Sequence, residues 1–191
     1  MHMVKSLKGG MLKRLAAVAA AISLIKCVFY FLDSLPQFYG GDSYSYLTTG
    51  QNGWIPPDRS FVYGLFIRNL ENWSQSLTPL IVLQVAASFI VCLLLYYCAN
   101  RVLDLPHGLS FVLACLFAVD PVQLLYERQV MTEALGGLFF AVALTLSLSY
   151  LKTPRFWKCL LIPPFGVLST AFRLSFYAPA WLLWVFSLPS G

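Results

Sequence analysis

Five apolar stretches, each close to the length of a bilayer-crossing helix, dominate this sequence and leave little else to fold. They run about Leu15–Leu32, Pro79–Ala99, Leu109–Tyr126, Ala134–Leu151 and Cys159–Leu188. A helix needs about 20 apolar residues to cross the hydrocarbon of a bilayer. The runs are continuous rather than alternating, which favours helices over the strands of a membrane barrel. Composition closes the alternative of a water-soluble domain: 59% of residues are hydrophobic and 11% charged, against about 25% charged in ordinary soluble chains. The expected fold class is all-α, a polytopic helical membrane protein with about five spans, forming a single transmembrane domain over 1–191. The lipid bilayer is its expected solvent.

The +5 net charge belongs to topology rather than to nucleic acid, because the basic residues sit in short segments between apolar runs. Lys5, Lys8, Lys13 and Arg14 precede the first run, and Lys152, Arg155 and Lys158 follow the fourth. With five spans these fall on one face, the expected cytoplasmic one, in a plasma (inner) membrane. Acidic residues gather on the other face: Asp33, Asp42, Asp58, Glu71, Asp120, Glu127 and Glu133. The first run reads as an uncleaved anchor, and Lys26 within it as a side chain that snorkels to the interface. The five cysteines lack metal-ligand spacing and read as small apolar side chains. No cofactor is predicted from these residues, and a divalent metal stays open. The two histidines, His2 and His107, carry no partner pattern.

Two segments on the acidic face are too rich in polar residues to be passive. The 33–78 loop holds GGDSYSY at 40–46, WIPPDRS at 54–60 and FVYGLFIRNL at 61–70, the last with apolar residues at helical spacing. It is expected to contain a short amphipathic helix lying in the interface. The 120–133 loop opens with Asp120–Pro121, where a helix should stop or kink, and runs through Glu127 and Arg128 to Glu133. Arg173 sits inside the fifth run, and an ion at membrane depth normally has a partner or a function. Carboxylates can take a proton from an attacking hydroxyl, and guanidiniums can grip a phosphate. Each residue also has a plain reading. Asp42 suits a turn, Asp120 a helix cap, Glu127 and Arg128 an exposed interface, and Glu133 the positive end of a helix dipole.

The order of these pieces resembles the amino-terminal portion of the GT-C glycosyltransferases, the polyprenyl-phosphate-dependent membrane enzymes that include protein O-mannosyltransferases and lipid A aminoarabinose transferases. GGDSYSYL resembles that family's acidic site after the first span. DRSFVYGLFI at 58–67 is similar to its Arg-containing segment, with Gly64 where a proline is common. AVDPVQLLYERQVMTE at 118–133 and AFRLSFYAPA at 171–180 resemble later elements. The resemblance implies a sugar transferred from a polyprenyl-phosphate-linked donor to an acceptor it does not identify. It implies Asp42 as the catalytic base and Arg59, Arg128 and Arg173 as groups for the donor phosphate. Glu133 would orient an arginine or the acceptor. The family has more spans than five, so the chain reads as a truncated module, a fragment or a divergent short member. Two other readings stay open: a non-enzymatic transporter-like or assembly subunit, and an inactive remnant of such an enzyme.

Overall fold

The computed structural model describes residues 2–57 and 59–186, with side chains from Lys13 to Val185 in that range. Every element there is helical. They are α1 (His2–Leu32), α2 (Gly40–Asn52), α3 (Phe61–Ser74), α4 (Thr78–Tyr97), α5 (His107–Ala118), α6 (Pro121–Tyr126), α7 (Glu133–Lys152), α8 (Phe156–Phe172) and α9 (Tyr177–Phe186). Among the described residues three stretches are long and apolar enough to cross a membrane: Lys13–Leu32, Thr78–Val102 and Glu133–Lys152. In lipid the backbone must satisfy its own amides, and an unbroken helix does so.

The third and fifth expected spans are broken helices instead. The third is α5, of 12 residues, followed by a turn and α6. Pro121 starts α6, where a missing amide costs nothing, and the Gln123 amide donates to Asp120 Oδ2 at 3.0 Å. Asp120 is therefore the helix cap that its position before proline implies. The fifth is α8 followed by α9. Pro163 and Pro164 lie inside α8, and the break comes later, at Arg173, whose φ of −140° and ψ of 111° leave the helix. A 3₁₀ turn, Leu174–Phe176, links the two. Residues 187–188 of that expected span lie outside the described residues.

The 33–78 loop holds two helices where one was expected. α3 begins where the amphipathic pattern does, with Ser60 Oγ accepting from the Val62 amide at 3.2 Å. α2 is the addition, and it contains the GGDSYSY segment. The two helices cross at glycines. A Cβ on Gly64 would come within 2.5 Å of Thr49 Cβ and 2.8 Å of the Tyr46 carbonyl oxygen, and one on Gly50 within 3.2 Å of the Gly64 carbonyl oxygen.

α4 continues as one π turn, Cys98–Val102. The chain reverses at Asp104, with φ at 55°. Lys152 Nζ donates to Asp104 Oδ2 at 2.5 Å and to the Arg101 carbonyl at 2.8 Å, tying the end of α7 to that turn. This basic end of the bundle holds the starts of α1, α5 and α8. Next to it α1, α4 and α5 share a core of Val18, Ile22, Cys92, Tyr96, Ala114 and Ala118. His107 is not partnerless, since its Nδ1 lies 2.8 Å from the Tyr96 hydroxyl. At the opposite, loop end a second core joins Tyr46, Tyr63, Ile67, Leu80, Val130, Leu135 and Phe172.

A polar layer separates the two cores. Lys26 does not snorkel: it is 3% exposed, and its Nζ donates to Glu127 Oε1 at 2.5 Å and to the Ala118 carbonyl at 2.9 Å. Glu127 is fully buried, not an exposed interface charge. One ammonium thus holds both the end of α5 and the residue after α6. Gln84 of α4, also buried, donates to the Tyr126 and Gln129 carbonyls, each at 2.8 Å. It accepts from the Tyr63 hydroxyl at 3.0 Å. A short bridge completes the layer: Gln37 N donates to the Arg128 carbonyl at 2.8 Å, and Val130 N to the Gln37 carbonyl at 3.0 Å.

Two outcomes follow for stability, both readable by unfolding in detergent micelles. Gly64→Ala forces α2 and α3 apart and should cost about 1–3 kcal/mol, whereas Gly137→Ala, with open space around its Cβ, should be neutral. Glu127→Ala strands the Lys26 charge and should cost roughly 3–5 kcal/mol, while Lys26→Met with Glu127→Leu should recover most of that loss.

Candidate functional site

The loop end gathers the ionisable residues singled out in the sequence, and local chemistry explains how. α2 opens at Gly40, whose φ of +34° suits a residue without Cβ. The Tyr39 amide donates to Ser43 Oγ at 2.8 Å, and that hydroxyl donates to the Val130 carbonyl at 3.0 Å. Ser43 therefore pins the start of α2 to the segment before α7. Asp42 lies in the first turn of α2, where the helix dipole favours a negative charge. It is a helical residue and not a turn residue.

Asp42 Oδ1 meets Arg59 Nη1 at 2.7 Å, with the side chains 34% and 26% exposed. Arg59 precedes the Ser60 cap of α3. Ser60 Oγ also donates to the Ala171 carbonyl of α8, which brings the arginine's segment to the α8–α9 break. Asp58 lies outside the described residues.

A second pair stands nearby. Glu133 opens α7 and bonds Arg173 Nη1 through Oε1. Arg173 Nε donates to Ser175 Oγ at 2.9 Å, so the broken backbone between α8 and α9 aims the guanidinium. Gly136, one turn into α7, makes room for it: a Cβ there would come within 3.3 Å of both Arg173 Cβ and the Phe176 ring. Glu133 is 10% exposed and Arg173 36%, so the pair faces a surface without being solvated on all sides.

Tyr46 connects the two pairs. It lies four residues after Asp42 on the same helix face, is 6% exposed and bonds the Thr132 side chain. Burial pushes its phenol above the ordinary value, Glu133 and Asp42 add to that rise, and the Thr132 bond and Arg59 oppose it. One hydroxyl thus feels members of both pairs. Tyr63 packs edge-on against it, centroids 5.0 Å apart. Burial raises the Tyr63 phenol well above its usual range, helped by Glu133 and Tyr46 and opposed by a backbone bond at Met131.

Of the five residues expected at a site, Asp42, Arg59, Glu133 and Arg173 are brought together. Arg128 is not with them: it is 4% exposed, buried like Glu127, and its Cζ lies 5.5 Å from the centroid of the Tyr30 ring of α1. The residues that sequence reasoning missed are Tyr46, Thr132, Ser43 and Tyr63. The Asp42–Tyr46 spacing was the available signal for the first, once α2 is recognised as a helix.

Beside the Arg173 break, α8 and α9 leave an apolar groove of about 440 Å³, lined by Pro163, Gly166, Ala171, Leu174, Tyr177 and Trp181 among others. Among the described residues no three of His, Cys, Asp or Glu are grouped to hold a metal ion. Comparison with protein-family models, with curated proteins and with solved structures finds no match to this chain.

The buried phenols make an alkaline signature. A folded-state pKa above the ordinary value of about 10 means the folded protein keeps protons that the unfolded chain has lost. Stability should therefore fall as pH rises above about 10, and Tyr63→Phe should lessen that fall. Phenolate absorbance during titration in micelles should show Tyr46 and Tyr63 ionising only above the ordinary phenol range.

Proposed function

We propose that this protein transfers a sugar from a polyprenyl-phosphate carrier to an acceptor at the extracytoplasmic face of the plasma membrane. The observation that carries this reading is the meeting of two carboxylate–guanidinium pairs, Asp42–Arg59 and Glu133–Arg173, around one buried tyrosine at the loop end. The opposite end carries Lys13, Arg14, Arg101, Lys152, Arg155 and Lys158. The excess of positive charge there supports a cytoplasmic reading of that end, with the amino terminus inside and the candidate site outside.

In this reading Asp42 is the general base. Arg59 occupies Oδ1, which leaves Oδ2 to accept the proton of the acceptor hydroxyl. The acceptor oxygen forms a bond to the anomeric carbon as the bond from that carbon to the phosphate oxygen breaks. The electron pair leaves with the carrier phosphate, and Arg59 and Arg173 neutralise the growing charge. Glu133 holds Arg173 in place. The apolar groove beside Arg173 lies where the carrier's hydrocarbon tail would rest, and its volume is in the range of ligand pockets.

Asp42→Asn keeps the shape of the side chain and removes its basicity. With the protein in vesicles that contain a polyprenyl-phosphate sugar, this change should slow transfer by about 10²–10⁴-fold. Arg173→Gln should also lower the rate. Unchanged turnover in Asp42→Asn removes that residue from the mechanism, and no transfer by the unaltered protein with any such donor favours a non-enzymatic subunit.

A further inference from the structure

A second groove lies on the other side of the bundle, between α1 and α4. It has a volume of about 300 Å³ and is walled by Ser23, Cys27 and Tyr30 of α1 and by Val82, Ala86 and Phe89 of α4, with Lys26 at its base. The helices run in opposite directions, so Tyr30 and Val82 mark its outer end and Ser23 and Phe89 its inner end. Seven residues of helix separate Ser23 from Tyr30, about 10 Å along the axis. That length accommodates the upper part of an acyl chain. Its walls are largely apolar.

At its outer end the groove shares a wall with a buried, uncompensated cation. The ring of Tyr30 faces the groove and also lies against the Arg128 guanidinium. Lys26 and Glu127 neutralise each other, which leaves the charge of Arg128 in excess. Its Nη1 is buried with no hydrogen-bond partner among the described residues. Asp33 sits on the loop that pairs with the Arg128 backbone; its carboxylate accepts from Gln37 Nε2 at 2.7 Å, and among the described residues no ion pair joins it or any other carboxylate to Arg128. The Tyr30 face steadies the cation without supplying a counter-charge, and a buried guanidinium without an ion-pair partner is costly.

We infer that this groove binds an anionic phospholipid of the surrounding membrane, with the headgroup phosphate on Arg128 and one acyl chain lying between α1 and α4. Tyr30 stands about 3 Å from the Leu32 end of α1 along the helix axis, at the level where headgroups meet the hydrocarbon. Tyr30 is part-exposed, and binding in this way requires its ring to swing off the guanidinium and admit the phosphate. A guanidinium forms paired hydrogen bonds with a phosphate. A zwitterionic headgroup brings its own cation and leaves the excess charge in place, so charge complementarity selects an anionic lipid. This function for Arg128 is independent of the proposed sugar transfer.

The test is native mass spectrometry of the whole chain, released from micelles that contain equal amounts of phosphatidylglycerol and phosphatidylcholine with the same acyl chains. The unaltered protein should retain phosphatidylglycerol in preference. Arg128→Gln should reduce that preference about fivefold, in line with one basic residue near a lipid surface. Ala86→Trp fills the groove from an exposed position without touching the buried charges, and should abolish lipid retention in a protein that still folds. Equal retention of the two lipids by the unaltered protein overturns the inference. So does an unchanged preference in Arg128→Gln or undiminished retention in Ala86→Trp. Should Arg128→Gln fail to fold, Ala86→Trp decides alone.

Discussion

The ammonium of Lys26 supports the rest of the arrangement. A chain in lipid has no water to take up free carbonyls, so any interruption of a helix must be satisfied from within. The interruption here runs from Ala118 to Glu133 and leads straight into the loop-end cluster. Lys26 closes it from α1 by bonding the last carbonyl region of α5 and the carboxylate of Glu127. Gln84 does the same from α4 for the carbonyls of Tyr126 and Gln129. Two side chains from two membrane-length helices thus replace the hydrogen bonds that a continuous third span would have supplied.

Relieved of continuity, the segment is free to carry chemistry. Val130 accepts the Ser43 hydroxyl and positions α2. Thr132 bonds Tyr46, and Glu133 pairs with Arg173. A straight helix over the same residues would point these groups outward at regular angles and could not converge them on one tyrosine. The α8–α9 break has the same effect on Arg173, whose extended backbone turns its side chain toward α7. Both irregular stretches face the loop end; neighbouring protein covers residues 127–132 there, whereas Leu174, Ser175 and Tyr177 at the α8–α9 break stand exposed.

How much of this could be read from sequence depends on the range of the force involved. The helices α1, α4 and α7 are legible because lipid acts on runs of residues, and a run of about 20 apolar residues has few other solutions. The stop at Pro121 is legible because proline acts on its immediate neighbours. α2 is not legible: GGDSYSYLTTGQN has no apolar stripe, and its helix depends on the close crossing with α3 at Gly50 and Gly64. Four of the five candidate residues, chosen by residue type and by the resemblance, come together in the fold. Arg128 was misplaced because adjacent residues on one turn point in different directions, and only packing decides which. The burial of Glu127 escaped notice for a related reason, since its partner lies 101 residues away and nothing local announces it.

The position of Arg173 has a mechanical consequence. The same residue is the joint between α8 and α9 and the counter-ion of Glu133. Apolar helices respond to the thickness of the bilayer by changing their tilt. A rotation of α9 against α8 about this joint would carry the guanidinium with it and so move the partner of the carboxylate at the mouth of α7. One residue thereby ties the orientation of the last helix to the geometry of the cluster.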